Sequence, residues 1–557
     1  MNGFVPVQGS HKSLLPHSRP AGPVDPSELA SLTVRVRSTG DPKALEKFVY
    51  EQAAKPLAKR QYLTQEQLAT QHGASKEDLD KIEAFAQQHD LFVVRRNAAA
   101  RTIQLRGKLA DLLAAFHADV GIYHHSTGTY RGRQGEITVP KELQPIITGV
   151  FGFDTRPKNR KTSRGGTATA SRRRTSGSQA TKTGGKGAAA INPQDGVPST
   201  EFASRYNFPT QSNGTTLDGT GQTIAIIELG GGYRTSDLKV YFHEIGVPMP
   251  KVAAVSVDQA ANDPTTADSA DGEVMLDIEV AGAVVPNAKF AVYFAPNNGD
   301  KGFIDAITAA VHDTERNPSV ISISWGGPEP APNTDQMNLN AFHELFVAAG
   351  ALGITVCIAS GDHGTADSDA ADWDGKIHVD HPACDDAVLG CGGTQIVNGT
   401  DVVWNDGTPF DTSASGGGGW ASGGGISEDF AVPSYQTALN TVVSIDDGKP
   451  GRGVPDIAMS ATDYFTRVDR QEGPSGGTSA VAPLMAALVA LLNQAKGKNV
   501  GFLNPFLYAN ASKGVVHAVT SGTNAITNTV KGYEAGPGWN ACTGLGTPDG
   551  AAILSLL

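Results

Sequence analysis

Residues 223–229 read TIAIIEL and run straight into Gly230-Gly231-Gly232. An almost wholly apolar run of this length, closed by glycines, is a strand buried on both faces, and such strands belong to parallel sheets covered by helices. The same alternation repeats on the C-terminal side. A helical stretch follows the glycines, then come a strand at 252–257, a helix at 271–285 stopped by Pro286, and a strand at 289–294. A helix at 303–313, a strand at 319–324 (SVISIS), a helix at 336–351 and a strand at 354–360 (ITVCIAS) continue it. The pattern predicts an α/β domain whose chemistry gathers where the parallel strands end.

Upstream the character changes. Residues 32–37 (LTVRVR) alternate like a strand, and Thr64 with Gln67 and Ser75 with Asp78 have the spacing of helix-start capping pairs. Strand-like runs at 91–95 and 102–106 and a helix at 108–117 complete a compact α+β unit ending near Asp154. From Arg156 to about Gly187 the chain is polar, cationic and of low complexity, so it cannot bury enough apolar surface to offset its own entropy. It reads as a flexible linker, where proteases cut.

Charge follows the same division. Up to Gly187 there are 29 Lys+Arg against 16 Asp+Glu, and the remainder of the 557 residues carries 16 against 41. A basic leader and an acidic body attract each other, although the linker alone supplies ten of the cations. A body so poor in cations also tolerates acid, because neutralised carboxylates leave little self-repulsion behind. The basic stretch lacks interleaved aromatics, which argues against nucleic acid, and no run of 18 apolar residues suggests a membrane span. Residues 1–20 show no legible secretory signal. Cys357, Cys384, Cys391 and Cys542 form no C-x-x-C pair, so buried thiols are expected, with a Cys384–Cys391 bridge possible.

The residues that could carry chemistry lie in the body. Gly476-Gly477-Thr478-Ser479-Ala480-Val481-Ala482-Pro483 leads into an apolar helix. A serine at a glycine-rich helix entrance is flanked by orphan N–H groups and a positive dipole end, which suits a nucleophile whose attack creates an oxyanion. An ordinary helix cap would use the same residues. The body's histidines (243, 312, 343, 363, 378, 381 and 517) lie in no H-G-T-H-like setting. Instead, Asp271-Gly272-Glu273 opens a helix on which Glu273 and Asp277 stand four apart, on one face. Two close carboxyls cannot both ionise cheaply, so they share a proton and act as a base only in acid. Such a pair is often just a solvated face, but this helix is apolar nearly all round, so the acids should be held in protein.

Taken in order, the D-G-E-x-x-L-D-I-E helix, S-x-S-W-G-G, S-G-D-x-G, G-T-S-A-x-x-P and a C-terminal G-P-G-W-x-x-C-T-G-x-G resemble the sedolisin family of serine-carboxyl peptidases, kumamolisin branch. The resemblance implies a subtilisin-like parallel sheet flanked by helices (188–557), preceded by an α+β, ferredoxin-like inhibitory and chaperone prodomain (1–155) and a cleavable linker (156–187). It implies an acid-active endopeptidase with Ser479 as nucleophile, Glu273 as base, Asp277 orienting it and Asp362 stabilising the oxyanion, extended by Glu228 and Trp325. Polypeptide substrates, the chain's own prodomain as inhibitor, a monomer and secretion follow from it, with neither nucleic acid nor membrane as partner. His363 departs from the family pattern beside Asp362, and a cation there could alter that carboxyl. Asp380, in His378-Val379-Asp380-His381-Pro382, is a guess for a specificity carboxylate.

The family also implies one calcium ion near the C-terminus, held by two Asp carboxylates and backbone carbonyls. Here the equivalent positions are Ala518, Val519, Gly536, Gly538 and Asn540. Both carboxylates are missing, so calcium binding should be weak or absent and no cofactor required, unless Glu534 or Asp549 reaches in. A neutral subtilisin-like protease, or a catalytically inactive binding module on the same fold, remain the alternatives.

Overall fold

The computed structural model describes residues 3–161 and 196–557, apart from 16, 126–127, 157–159, 268, 330–334, 369–372, 409–418, 440–441 and 527–529. Of the expected linker, therefore, only Arg156 and the backbone of 160–161 are described, and the rest of that expectation lies outside these residues.

The body is built on a sheet whose strands run in the order Lys251–Ser256, Lys289–Phe294, Thr223–Glu228, Val320–Ile323, Thr355–Ala359 and Leu389–Val397. All five of those pairings are parallel, Ile457–Ser460 adds a further parallel strand beside Leu389–Val397, and Thr400–Val403 pairs with the latter antiparallel. The central strand TIAIIE is buried at every residue, as its unbroken apolar pattern requires. Helices Asp271–Val284 and Thr478–Lys496 pack against each other, and helices Asp300–Val311 and Gln336–Ala351 form a second pair. Thr478–Lys496 is long and apolar enough to cross a membrane by length and composition, but 89% of its apolar window is buried inside the protein. Its hydrophobicity serves the core.

The leader forms a four-stranded antiparallel sheet, ordered Phe92–Asn97, Thr102–Lys108, Leu29–Val36, Ile147–Phe151. With helix Pro42–Ala53 after the first strand in sequence and helix Leu109–Phe116 before the last, this is the β-α-β-β-α-β arrangement. Thr64 and Gln67 close a reciprocal capping box, and the Ser75 hydroxyl accepts from the Asp78 N–H, so both helix starts fall where their spacing places them. Helix Pro42–Ala53 was not read from the sequence, although Asp41 caps it and Pro42 stands in its first turn. The hairpin Asp119–His125 with Gly128–Gln134 was also missed.

The two units share one apolar core. Val34 and Phe151 of the leader belong to the same buried cluster as Met337, Phe342 and Val347 of the body. Charge surrounds this contact: Lys12 reaches Asp300 at 3.1 Å and Arg133 reaches Asp335 at 2.6 Å.

All four cysteines are free and buried. The possible Cys384–Cys391 bridge does not form, because the Cys384 thiol lies against Glu329 and that of Cys391 against Cys357.

Candidate active site

The ends of three neighbouring parallel strands deliver the site. Glu228 is the last residue of the central strand, Ser324 and Trp325 follow Val320–Ile323, and Asp362 stands just beyond Thr355–Ala359. From one face, helix Asp271–Val284 brings Glu273 and Asp277, and helix Thr478–Lys496 brings Ser479 in its first turn. Gly477, at the cap of that helix, has φ of 112°, a conformation side-chain-bearing residues rarely adopt. Glu228, Glu273, Asp277 and Ser479 are completely buried, and Asp362 is 3% exposed.

Hydrogen bonds tie the cluster together. Ser324 Oγ lies 2.9 and 3.1 Å from the Asp277 carboxyl oxygens and 3.3 Å from the Ser479 carbonyl. Trp325 Nε1–H donates to Glu228 Oε2 at 3.0 Å. The Thr478 N–H and hydroxyl both donate to Asp362 Oδ1, at 2.7 and 2.8 Å, while Oδ2 is buried without a hydrogen-bond partner among the described residues.

Burial pushes Glu228, Asp277 and Asp362 well above the usual carboxylate range. The negative charge of Glu273 pushes each of them further, and Asp277 also feels Glu228. The bonds from Trp325, Ser324 and Thr478 work the other way, but burial outweighs them. The expectation that a helical carboxyl pair is held in protein is borne out, and the sheet adds two further carboxyls. His363, the departure beside Asp362, stacks its ring on Trp420 at 4.7 Å.

The extended segment Trp325–Pro328 is flanked on both sides. Asp380–His381 pairs antiparallel on one side, and Arg160–Lys161, just past the leader, pairs antiparallel on the other, with Lys161 opposite Trp325. The chain following the leader thus lies in the site as an added strand. Nothing in the composition of the linker announced this. Asp380 is 1% exposed and lies directly beneath Gly326, where a Cβ would meet its carboxyl oxygen at 2.1 Å. Burial and the charges of Asp367 and Asp362 raise it well above the usual range.

The C-terminal loop does not fit a calcium ion. Asn540, 8% exposed, turns its Nδ2 toward the carbonyls of Val519 (3.2 Å) and Gly536 (3.4 Å), two of the oxygens a cation would need. Its Oδ1 accepts from the N–H groups of Cys542 and Thr543 and from the Thr543 hydroxyl. Ala518 is exposed and has no carboxylate to offer. Asp549 is engaged elsewhere, capping helix Gly550–Leu556.

Comparison with known proteins places the chain in a family. The "Pro-kumamolisin, activation domain" family matches residues 16–156, and the subtilase family matches residues 255–533. Kumamolisin of Bacillus sp. (strain MN-32) is 43% identical, over 99% of this chain and 96% of that protein. The chain belongs to the sedolisin family. Sedolisin of Pseudomonas sp. (strain 101) is 26% identical over 94% of this chain and 86% of its own. The solved structure of Pseudomonas sedolisin (serine-carboxyl proteinase) complexed with two molecules of pseudo-iodotyrostatin superimposes with a TM-score of 0.54 at 28% identity, covering 63% of this chain and 96% of that one. This sedolisin-family chain is therefore a serine-type peptidase made as a proenzyme, with a subtilisin-like domain behind an activation domain.

Proposed function

We propose that this proenzyme matures into an acid-active endopeptidase that cleaves polypeptides through an acyl-enzyme on Ser479. The observation that carries the reading is the meeting of Glu273 with Asp277, Asp362 and Glu228 around the first turn of the nucleophile helix, the last three holding their protons above the usual carboxylate range through burial and the charge of Glu273. Ser479 Oγ attacks the peptide carbonyl, and its proton passes to Glu273, which Asp277 orients. Asp362, protonated in acid, donates from Oδ2 to the developing oxyanion, since Oδ1 is already occupied by Thr478. Glu273 returns the proton to the departing amine, and water releases the acyl group by the same route in reverse. Glu228 and Trp325 extend the proton-holding network. A neutral subtilisin-like mechanism would place a histidine where Glu273 stands. An inactive binding module would have no use for four carboxyls buried at such cost.

Residues 1–155 act in this reading as an inhibitory and chaperone prodomain, 156–187 as the cleavable linker and 188–557 as the catalytic domain. The strand that Arg160–Lys161 adds beside Trp325 supports inhibition from within the site. Asp380, under the floor of that strand, is a candidate specificity carboxylate. The enzyme works outside the cell as a monomer, without nucleic-acid or membrane partners, and without calcium. Casein hydrolysis at pH 4 and pH 8, beside a Ser479→Ala control, tests the reading. Activity confined to pH 8, or persisting in the control, overturns it.

A further inference from the structure

Between the prodomain and the body lies a cavity of about 240 Å³, lined by none of the residues of the chemistry above. Arg35, Arg101 and His72 of the prodomain line it from one side, and His312 and Glu344 of the body from the other. Its charges do not balance. Arg35 and Arg101 both donate to the same oxygen, Glu344 Oε2, at 3.2 and 2.5 Å. Arg35 is 1% exposed, yet among the described residues its Nε and Nη1 have no hydrogen-bond partner, and neither does Nδ1 of His72 or His312. Lys43 and Glu46 at the rim offset each other in sign, and His343 turns to Asp385 at 3.1 Å. Asp305 bears on Arg35 only at longer range.

A buried guanidinium with vacant N–H groups needs acceptors, and water could supply those. Water would not offset the second positive charge, which is costly in a low-dielectric interior. The strain shows on the bases: burial and Arg101 push Arg35 down to about 10, and burial with both arginines pushes His312 down to about 3. An oxyanion would serve both needs at once, offering several acceptor oxygens and the missing negative charge.

We propose that this cavity is a binding site for a small inorganic oxyanion of the sulfate or phosphate class, assembled only while the prodomain is docked. Its ligands come from both units, so the bound anion fastens the proenzyme and leaves when the prodomain does. The site itself does not depend on the proteolytic reading; only its effect on maturation does.

The test uses the full chain carrying Ser479→Ala, so that it stays intact, titrated with sodium sulfate at pH 7 and constant ionic strength in a calorimeter. One saturable site per chain is expected, half-filled at about 1 mM, the scale of a few charge-assisted hydrogen bonds. Arg101→Gln leaves the Arg35–Glu344 pair in place and should weaken binding at least about tenfold. His312→Asn tests the body's side of the site and should also weaken it. No saturable heat beyond that of matched chloride, or undiminished binding in Arg101→Gln, overturns the proposal. In a second arm, sulfate at ten times its dissociation constant should slow acid maturation of the wild-type chain about tenfold relative to chloride. If the wild-type chain never matures, the proteolytic reading fails, and the calorimetry still decides the site.

Discussion

Among the described residues Asp362 accepts two hydrogen bonds on one oxygen and none on the other, and this asymmetry fixes where a proton would sit and point. Asp362→Asn should leave the fold intact and lower turnover of casein at pH 4 by roughly two to three orders of magnitude, the usual loss for an oxyanion donor. Ser479→Ala and Glu273→Gln should each abolish it; near-normal rates in Glu273→Gln would mean that another base serves Ser479. Glu228 makes a different prediction, about stability. In the unfolded chain it ionises near pH 4, whereas burial and Glu273 hold its proton to higher pH in the folded one. Its contribution is thus fully present in acid and is lost as the pH rises toward the folded value. In a Ser479→Ala background, Glu228→Gln should change little at pH 4 and become stabilising at pH 8, by about 1.4 kcal/mol for each unit over which Glu228 is strained. Urea unfolding at the two pH values measures the difference. A Gln variant that loses stability at pH 8 would show that Glu228 is favourably ionised there.

At the scale of elements, the C-terminal loop carries a prediction about metal. Asn540 supplies donors to carbonyls that would otherwise face a cation, and its oxygen collects three donors from the following turn. We expect the melting temperature to be the same in EDTA and in millimolar calcium, within the error of a thermal scan. Asn540→Ala removes the whole set and should destabilise by about 2–4 kcal/mol, since it leaves several buried polar groups unpaired. A large fall in melting temperature on chelation would mean that a metal holds this loop after all. The carboxylate helix teaches the complementary lesson. Its apolar character all round was legible in the residues, and the structure buries Asp271 through Ala283. That Ser324 would bridge Asp277 and the Ser479 backbone was not legible, although Ser324 lies in a motif singled out for Trp325.

Across the whole molecule, the prodomain rests on helices Asp300–Val311 and Gln336–Ala351 through a shared apolar core edged by ion pairs. The charge imbalance of the sequence anticipates the ion pairs, not the apolar part. In the proposed reading, acid should weaken the former by neutralising carboxylates of the body, freeing the strand at Arg160–Lys161. Incubating the full chain at pH 4 and pH 7 should give a shortened product in acid only, with a new N-terminus between residues 157 and 188. A stable full-length band at both values, with activity intact, would remove the prodomain from the account.

What the sequence by itself determined was periodicity and chemistry in short range. Strands such as TIAIIEL declare burial on both faces, Thr64 and Ser75 declare helix starts, and Glu273 with Asp277 declare a shared face, because each depends on neighbours within a few residues. Family-shared motifs pointed further, to Ser479, Asp362, Glu228 and Trp325, without giving their surroundings. Only the tertiary structure decided those. Strand order brings Glu228, Trp325 and Asp362 to one end of the sheet, and burial there raises three carboxyls together. Docking of the prodomain, in turn, sets Lys161 opposite Trp325 and two arginines against one glutamate. Pairings of this kind join residues hundreds of positions apart, and no local pattern in a chain encodes which distant partner will arrive.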